Sequence, residues 1–165
     1  MSNHEDNVSV VVVTQNEPLY LNEFFEPFLH YSTAPESPIE LKGAVVLETQ
    51  GGGQFELGTK LFGVYGPKPF ARLLGEYSAA KLREALYFLG LRNEPSSVSQ
   101  WLSDFGIDIW PIDDVNSSEM EKRVDEESID VILSIASPQI FEQKLLETPK
   151  YGCINSHSAP LPKYR

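Results

Sequence analysis

The chain has 165 residues, 41% hydrophobic and 22% charged, a balance that folds one domain around a single core and excludes intrinsic disorder. Its net charge of −11, from 24 acidic against 13 basic residues, argues against an extended phosphate-binding surface and so against nucleic-acid partners, although a tRNA remains open. No apolar run reaches the length of a membrane span, and a single cysteine forbids an internal disulfide, so a reducing cytoplasm is the expected setting.

The acid excess fits a host with high internal salt or simple solubility about equally. Residues 1–7 are polar, lack the basic-then-apolar pattern of a signal peptide, and read as a disordered tail. Val8 to Thr14 is a nearly continuous β-branched run, the mark of a central parallel strand buried on both faces. A helix is expected next, with Asn16 or Glu17 as N-cap and Pro18 in its first turn. Its aromatic-rich body runs from about Tyr20 to Tyr31, bent or interrupted near Pro27.

Leu41 to Leu47 is the second strand. The triple glycine Gly51-Gly52-Gly53 lacks the lysine and spacing of a phosphate loop and reads as a flexible connection. From Leu57 to Leu91 the pattern is helical, broken at Gly66-Pro67-Lys68-Pro69. Ala79, Leu82, Leu86 and Leu89 recur at helical spacing, and Tyr87 and Phe88 widen the stripe. Packing of that stripe against the sheet is the expectation, with a partner- or membrane-facing role as the rival.

A short helix spans Ser97 to Phe105 and ends at Gly106, followed by a short strand, Ile107 to Trp110. Asn116 and Glu119 form a capping box for a helix to about Glu127. Ile129 to Ala136 is another buried strand, Ser137 or Pro138 opens a helix to about Leu146, and Gly152 to His157 is the last strand. Alternation of this kind means a parallel, doubly wound α/β sheet with helices on both faces. Ligands in such sheets bind beyond the carboxyl ends of the strands, which selects Thr14–Asn16, Ala136–Ile140 and Asn155–Pro162. No dinucleotide fingerprint follows the first strand.

Of the three histidines, His4 lies in the polar tail and His30 near the end of the aromatic helix, where packing or exposure suffices. His157 ends a strand at the ligand edge, and Asn155 lies two residues before it on the same face of an extended chain. An amide and an imidazole converging on one point suit a developing oxyanion and a proton. Cys153, further inside the strand, reads as a buried structural thiol. No metal-ligand spacing is present.

The segment Gly152-Cys153-Ile154-Asn155-Ser156-His157-Ser158-Ala159-Pro160-Leu161-Pro162-Lys163-Tyr164-Arg165 resembles the signature of the folate-dependent formyltransferases. That family includes the enzymes acting on methionyl-tRNA, on glycinamide ribonucleotide and on amino sugars. Asn155, His157, Leu161, Pro162, Tyr164 and Arg165 match its motif, whereas Ala159 replaces a serine and Pro160 an apolar residue. Upstream, Asp130-Val131-Ile132 into Ala136, then Ile140, Leu146-Glu147, Pro149 and Gly152, resembles the strand, loop and helix that precede the motif. The opening Thr14 to Tyr20 looks more like the amino-sugar members.

The resemblance implies a Rossmann-like, three-layer α/β formyltransferase fold over residues 1–165, incomplete because the family's catalytic aspartate and last strands would follow Arg165. It implies transfer of a formyl group from 10-formyltetrahydrofolate to a primary amine, an amino sugar or other small amine being favoured over methionyl-tRNA. Asn155 and His157 would hold the oxyanion. Ile135, Ala136, Ser137, Gln139, Ile140, Leu161 and Pro162 would contact the folate, its ring packing on Ile135, Ile140 and Leu161. A non-catalytic folate- or ligand-binding module and a formyl-folate hydrolase are the alternatives.

Overall fold

The computed structural model describes residues 7–17, 19–48 and 54–156, except for the side chains of residues 54–57 and 60. Its elements run β1 (Val8–Gln15), α1 (Leu21–Ser32), β2 (Ile39–Leu47), α2 (Gln54–Tyr65), α3 (Pro67–Phe88), α4 (Val98–Asp104), β3 (Ile109–Trp110), α5 (Ser118–Glu126), β4 (Val131–Ile135), α6 (Gln143–Glu147) and β5 (Cys153–Ser156). The five strands form one sheet in the order β3-β2-β1-β4-β5, with every pairing parallel. This is the expected Rossmann-like α/β fold.

The β-branched run explains why β1 is central. Val10 to Val13 are all buried, and their alternation feeds two cores. On one face Val11, Val13, Val45 and Ile132 pack against Met120 and Val124 of α5 and Leu145 of α6. On the other, Val12, Ala44 and Ile135 pack against Phe25 and Leu29 of α1 and Val98 and Leu102 of α4. The sheet is thus the middle of three layers.

Several boundaries differ from expectation. The first helix starts at Leu21, later than Asn16 or Glu17 as N-cap requires, and Pro18 lies outside the described residues. Glu17 caps from a distance: its carboxylate accepts from the N–H groups of Leu19 (2.9 Å), Tyr20 (2.7 Å) and Leu21 (3.3 Å). The helix runs unbroken through Pro27, which is exposed, so the carbonyl that a backbone N–H at this position would have bonded can turn to water. α5 is capped by Ser117, whose hydroxyl accepts from the Met120 N–H at 3.3 Å, and not by Asn116. α6 begins at Gln143, well after Ser137 or Pro138, because residues 137–142 are tied to another loop.

The larger correction concerns α3. Its stripe does not pack on the sheet. Leu82 is 61% exposed and Phe88 87% exposed, only Ala80 is buried, and α3 packs mainly on α2. Both faces of the sheet are already covered by α1, α4, α5 and α6, so α3 lies outside these layers, packed on α2 and tied to α4 where the Gln100 amide donates to the Glu84 carbonyl at 3.2 Å. No helix of the described residues is long and apolar enough to cross a membrane. The glycine run at 51–53 and residues 1–6 lie outside the described residues.

Candidate active site

The strand order turns back on itself between β1 and β4, so the sheet opens a crevice beyond the carboxyl ends of those two strands. Three segments meet at that edge: the end of β1, the loop after β4, and the end of β5. Register sets β4 beside β5, with Ser134 paired to Asn155 and Ile135 to Ser156. Asn155 is exposed near the end of β5. Ala136, one residue beyond β4, holds a left-handed φ of 52°, a conformation that costs a non-glycine residue about 1–2 kcal/mol. This strained residue turns the chain out of β4 and into the loop.

Residues 137–142 form that loop, and several of its polar groups are engaged. The Ser137 hydroxyl lies 3.2 Å from the Gln139 carbonyl and 3.3 Å from its N–H. Gln139 reaches the loop before α5: its amide donates to the Asp113 carbonyl at 2.7 Å and accepts from the Val115 N–H at 2.9 Å. Asn116 reaches back, donating to the Ile140 carbonyl at 2.9 Å and accepting from the Glu142 N–H at 2.8 Å. The Ile140 side chain is 88% exposed.

The expected folate contacts therefore divide. Ala136 and Ile140 stand free at the crevice. Ile135 is buried in the core against α1, so its side chain serves packing, and Gln139 spends its amide on the neighbouring loop. Leu161, Pro162 and His157 lie outside the described residues. Asn116, expected as the cap of α5, instead braces this loop, a role the sequence analysis did not assign. Its signal was an amide placed immediately before a serine that could itself cap α5.

The end of β1 is committed to the fold. Thr14 is buried, and the Asn16 side chain accepts from the Ser99 N–H at 3.4 Å, anchoring the first turn of α4. Cys153 is half-buried, its thiol packed toward Leu145, and burial pushes its pKa up to about 11. It is a structural thiol, as its neighbours suggested. His30 is exposed and makes an edge contact with Phe105 at 4.9 Å between ring centroids. Among the described residues no group of three or more His, Cys, Asp or Glu could hold a metal ion.

A parallel sheet with helices packed on both faces puts the chain in the Rossmann-like α/β fold class. Comparison with known proteins narrows it. No family model matches the chain. A methionyl-tRNA formyltransferase of Macrococcus caseolyticus is 37% identical over 71 residues, 43% of this chain and 23% of that protein. One of Halothermothrix orenii is 34% identical over 76 residues, 46% of this chain and 24% of that protein. One of Alkaliphilus metalliredigens is 56% identical over 36 residues, 22% of this chain and 12% of that protein. These matches and the fold make the matched part of the chain similar to methionyl-tRNA formyltransferases. The first two matches span about a quarter of the length of those curated relatives.

Proposed function

We propose that the chain carries part of a site that transfers a formyl group from 10-formyltetrahydrofolate to a primary amine. The observation that carries this reading is Asn155, exposed at the end of β5 and held by register beside β4 and its strained exit at Ala136. The nucleophilic amine would add to the formyl carbon, forming a C–N bond and placing negative charge on the formyl oxygen. The Asn155 amide and the His157 imidazole donate to that oxygen. Collapse breaks the bond from the formyl carbon to N10, and the proton lost by the amine passes to N10, giving tetrahydrofolate and the formylated amine. Ser137 backbone groups and the Ile140 side chain would meet the pterin, with Leu161 and Pro162 closing on it.

Two acceptors compete. The net charge of −11 favours a small amine, an amino sugar for example, over a polyanion. The relatives, by contrast, are named for methionyl-tRNA. The single cysteine fits a reducing compartment, and we read the setting as cytoplasmic.

The test supplies radiolabelled 10-formyltetrahydrofolate with methionyl-tRNA, with a nucleotide-linked amino sugar, or with no acceptor. Label in an amine product supports transfer and names the acceptor. Formate released without an acceptor supports the hydrolase instead, and tight folate binding with neither product supports a binding module. Under the transfer reading, Asn155→Ala lowers turnover about a hundredfold or more, and His157→Asn abolishes it. Unchanged turnover in both variants would refute the oxyanion assignment.

A further inference from the structure

We infer that Asn116 and Gln139 are positioning residues that lock the loop after β4 into its ligand-ready shape before any folate arrives. The inference rests on the formyl-folate reading of that loop. The geometry is reciprocal. Gln139, in the loop of residues 137–142, sends its side chain to the backbone of Asp113 and Val115. Asn116, in the loop before α5, sends its side chain to the backbone of Ile140 and Glu142. Each amide uses its N–H and its oxygen, so each loop supplies one side chain and two backbone groups, in four hydrogen bonds of 2.7 to 2.9 Å.

An amide is the side chain this task requires. Each clasp must offer a donor to a carbonyl and an acceptor to an N–H from one planar group, and the carboxamide of Asn or Gln presents both on adjacent atoms without charge. The clasp bridges 24 to 26 residues of sequence, so it is a tertiary brace and not a local turn. It also explains two features. α6 starts late because the Glu142 N–H is held by Asn116, and Ala136 keeps its left-handed φ of 52° because the chain beyond it is fixed at both Gln139 and Ile140. A loop ordered in the free protein loses less entropy when a ligand docks on it, so the clasp acts on ligand affinity.

The test measures binding of 5-formyltetrahydrofolate, a stable isomer of the donor, to the full chain by calorimetry. Asn116→Asp keeps the acceptor for the Glu142 N–H and sets a carboxylate against the Ile140 carbonyl; Gln139→Glu does the same at Asp113. Each should weaken binding about tenfold. The double variant should lose less than the product of the two, because both brace one loop. Amide exchange should quicken at Val115 and Glu142, while the thermal midpoint moves by only a few degrees. A purely structural role would lower the midpoint and leave the affinity of the folded molecules alone. Wild-type binding with equal binding by both variants overturns the inference and spares the formyl-folate reading. Wild type that does not bind overturns both. Asn116→Ala is the harsher variant; where it fails to fold, the Asp variant decides.

Discussion

Trp110 lays its indole directly on the backbone of Gly43. A Cβ built on Gly43 would stand 2.4 Å from the indole Nε1 and 2.7 Å from Cε2, closer than real contacts allow. Gly43 sits where β2 slips its register against β1, Val10 pairing with Leu41 and Val11 with Gly43. The two-residue strand β3 thus docks on β2 through the absence of a side chain. Gly43→Ala should destabilise the fold by about 1–3 kcal/mol, through overpacking against a buried indole that cannot swing away. Denaturant unfolding checks it. Repeating the substitution in a Trp110→Leu background should shrink the cost, and an undiminished cost would show that the clash is not with the indole.

The sheet was legible because its strands announce themselves. Val8 to Thr14 and Ile129 to Ala136 are long β-branched or apolar runs, and the alternation of strand and helix leaves few topologies. The place of Asn155 near the carboxyl end of β5 was legible for the same reason. What the sequence concealed were contacts between distant segments. Periodicity in α3 reports that one face is apolar; it does not say what covers that face, and here the sheet had no room left. The capping box at Asn116 and Glu119 was a sound local pattern, but Ser117 took the cap and freed Asn116 for a loop 24 residues away. Ile135, expected as a ligand contact, turns its side chain into the core, a matter of strand parity at the exit.

Asp130 ties the opposite end of the sheet. The Ser9 N–H donates to its Oδ2 at 2.9 Å, the Ser9 hydroxyl lies 2.9 Å from the same oxygen, and Lys150 stands 3.5 Å from Oδ1. The Ser9 backbone N–H, then its hydroxyl, then Lys150 hold the Asp130 carboxyl below its ordinary range. A folded-state pKa below the unfolded value adds stability above the unfolded pKa of about 3.9, and that stability is lost as pH falls through the folded value. Asp130→Asn should therefore cost about 1–2 kcal/mol at neutral pH. The gap from wild type should hold down to roughly pH 4 and close below it. Urea unfolding of both proteins across the acid range checks this, and a gap that widens on acidification would contradict it.

The α2–α3 hairpin should contribute little to the stability of the sheet. Leu82 and Phe88 present most of their surface to solvent, so Leu82→Ser and Phe88→Ser should each change unfolding free energy by less than about 0.5 kcal/mol. Leu102 in α4 is fully buried between helix and sheet, and Leu102→Ala should cost about 2–5 kcal/mol. A loss at Leu82 or Phe88 comparable to that at Leu102 would mean that the hairpin face is covered in solution.

Cys153 offers a test of the layer beneath the candidate site. Its thiol packs toward the Leu145 carbonyl on the α6 side of the sheet, and burial raises its pKa to about 11. At pH 8 a thiol of that pKa is thiolate about one time in a thousand, against roughly a quarter for a free cysteine of pKa near 8.5. Alkylation by iodoacetamide should therefore run at least a hundredfold slower in the native chain than in urea, combining low thiolate content with restricted access. Because Cys153 supports the strand and takes no part in the proposed transfer, Cys153→Ser should keep folate binding close to wild type. It should also lose some stability, from placing a hydroxyl in a half-buried apolar position. Rapid native alkylation would show that β5 opens readily from β4. Asn155, two residues further along β5, would then lose the register with Ser134 that places it at the crevice.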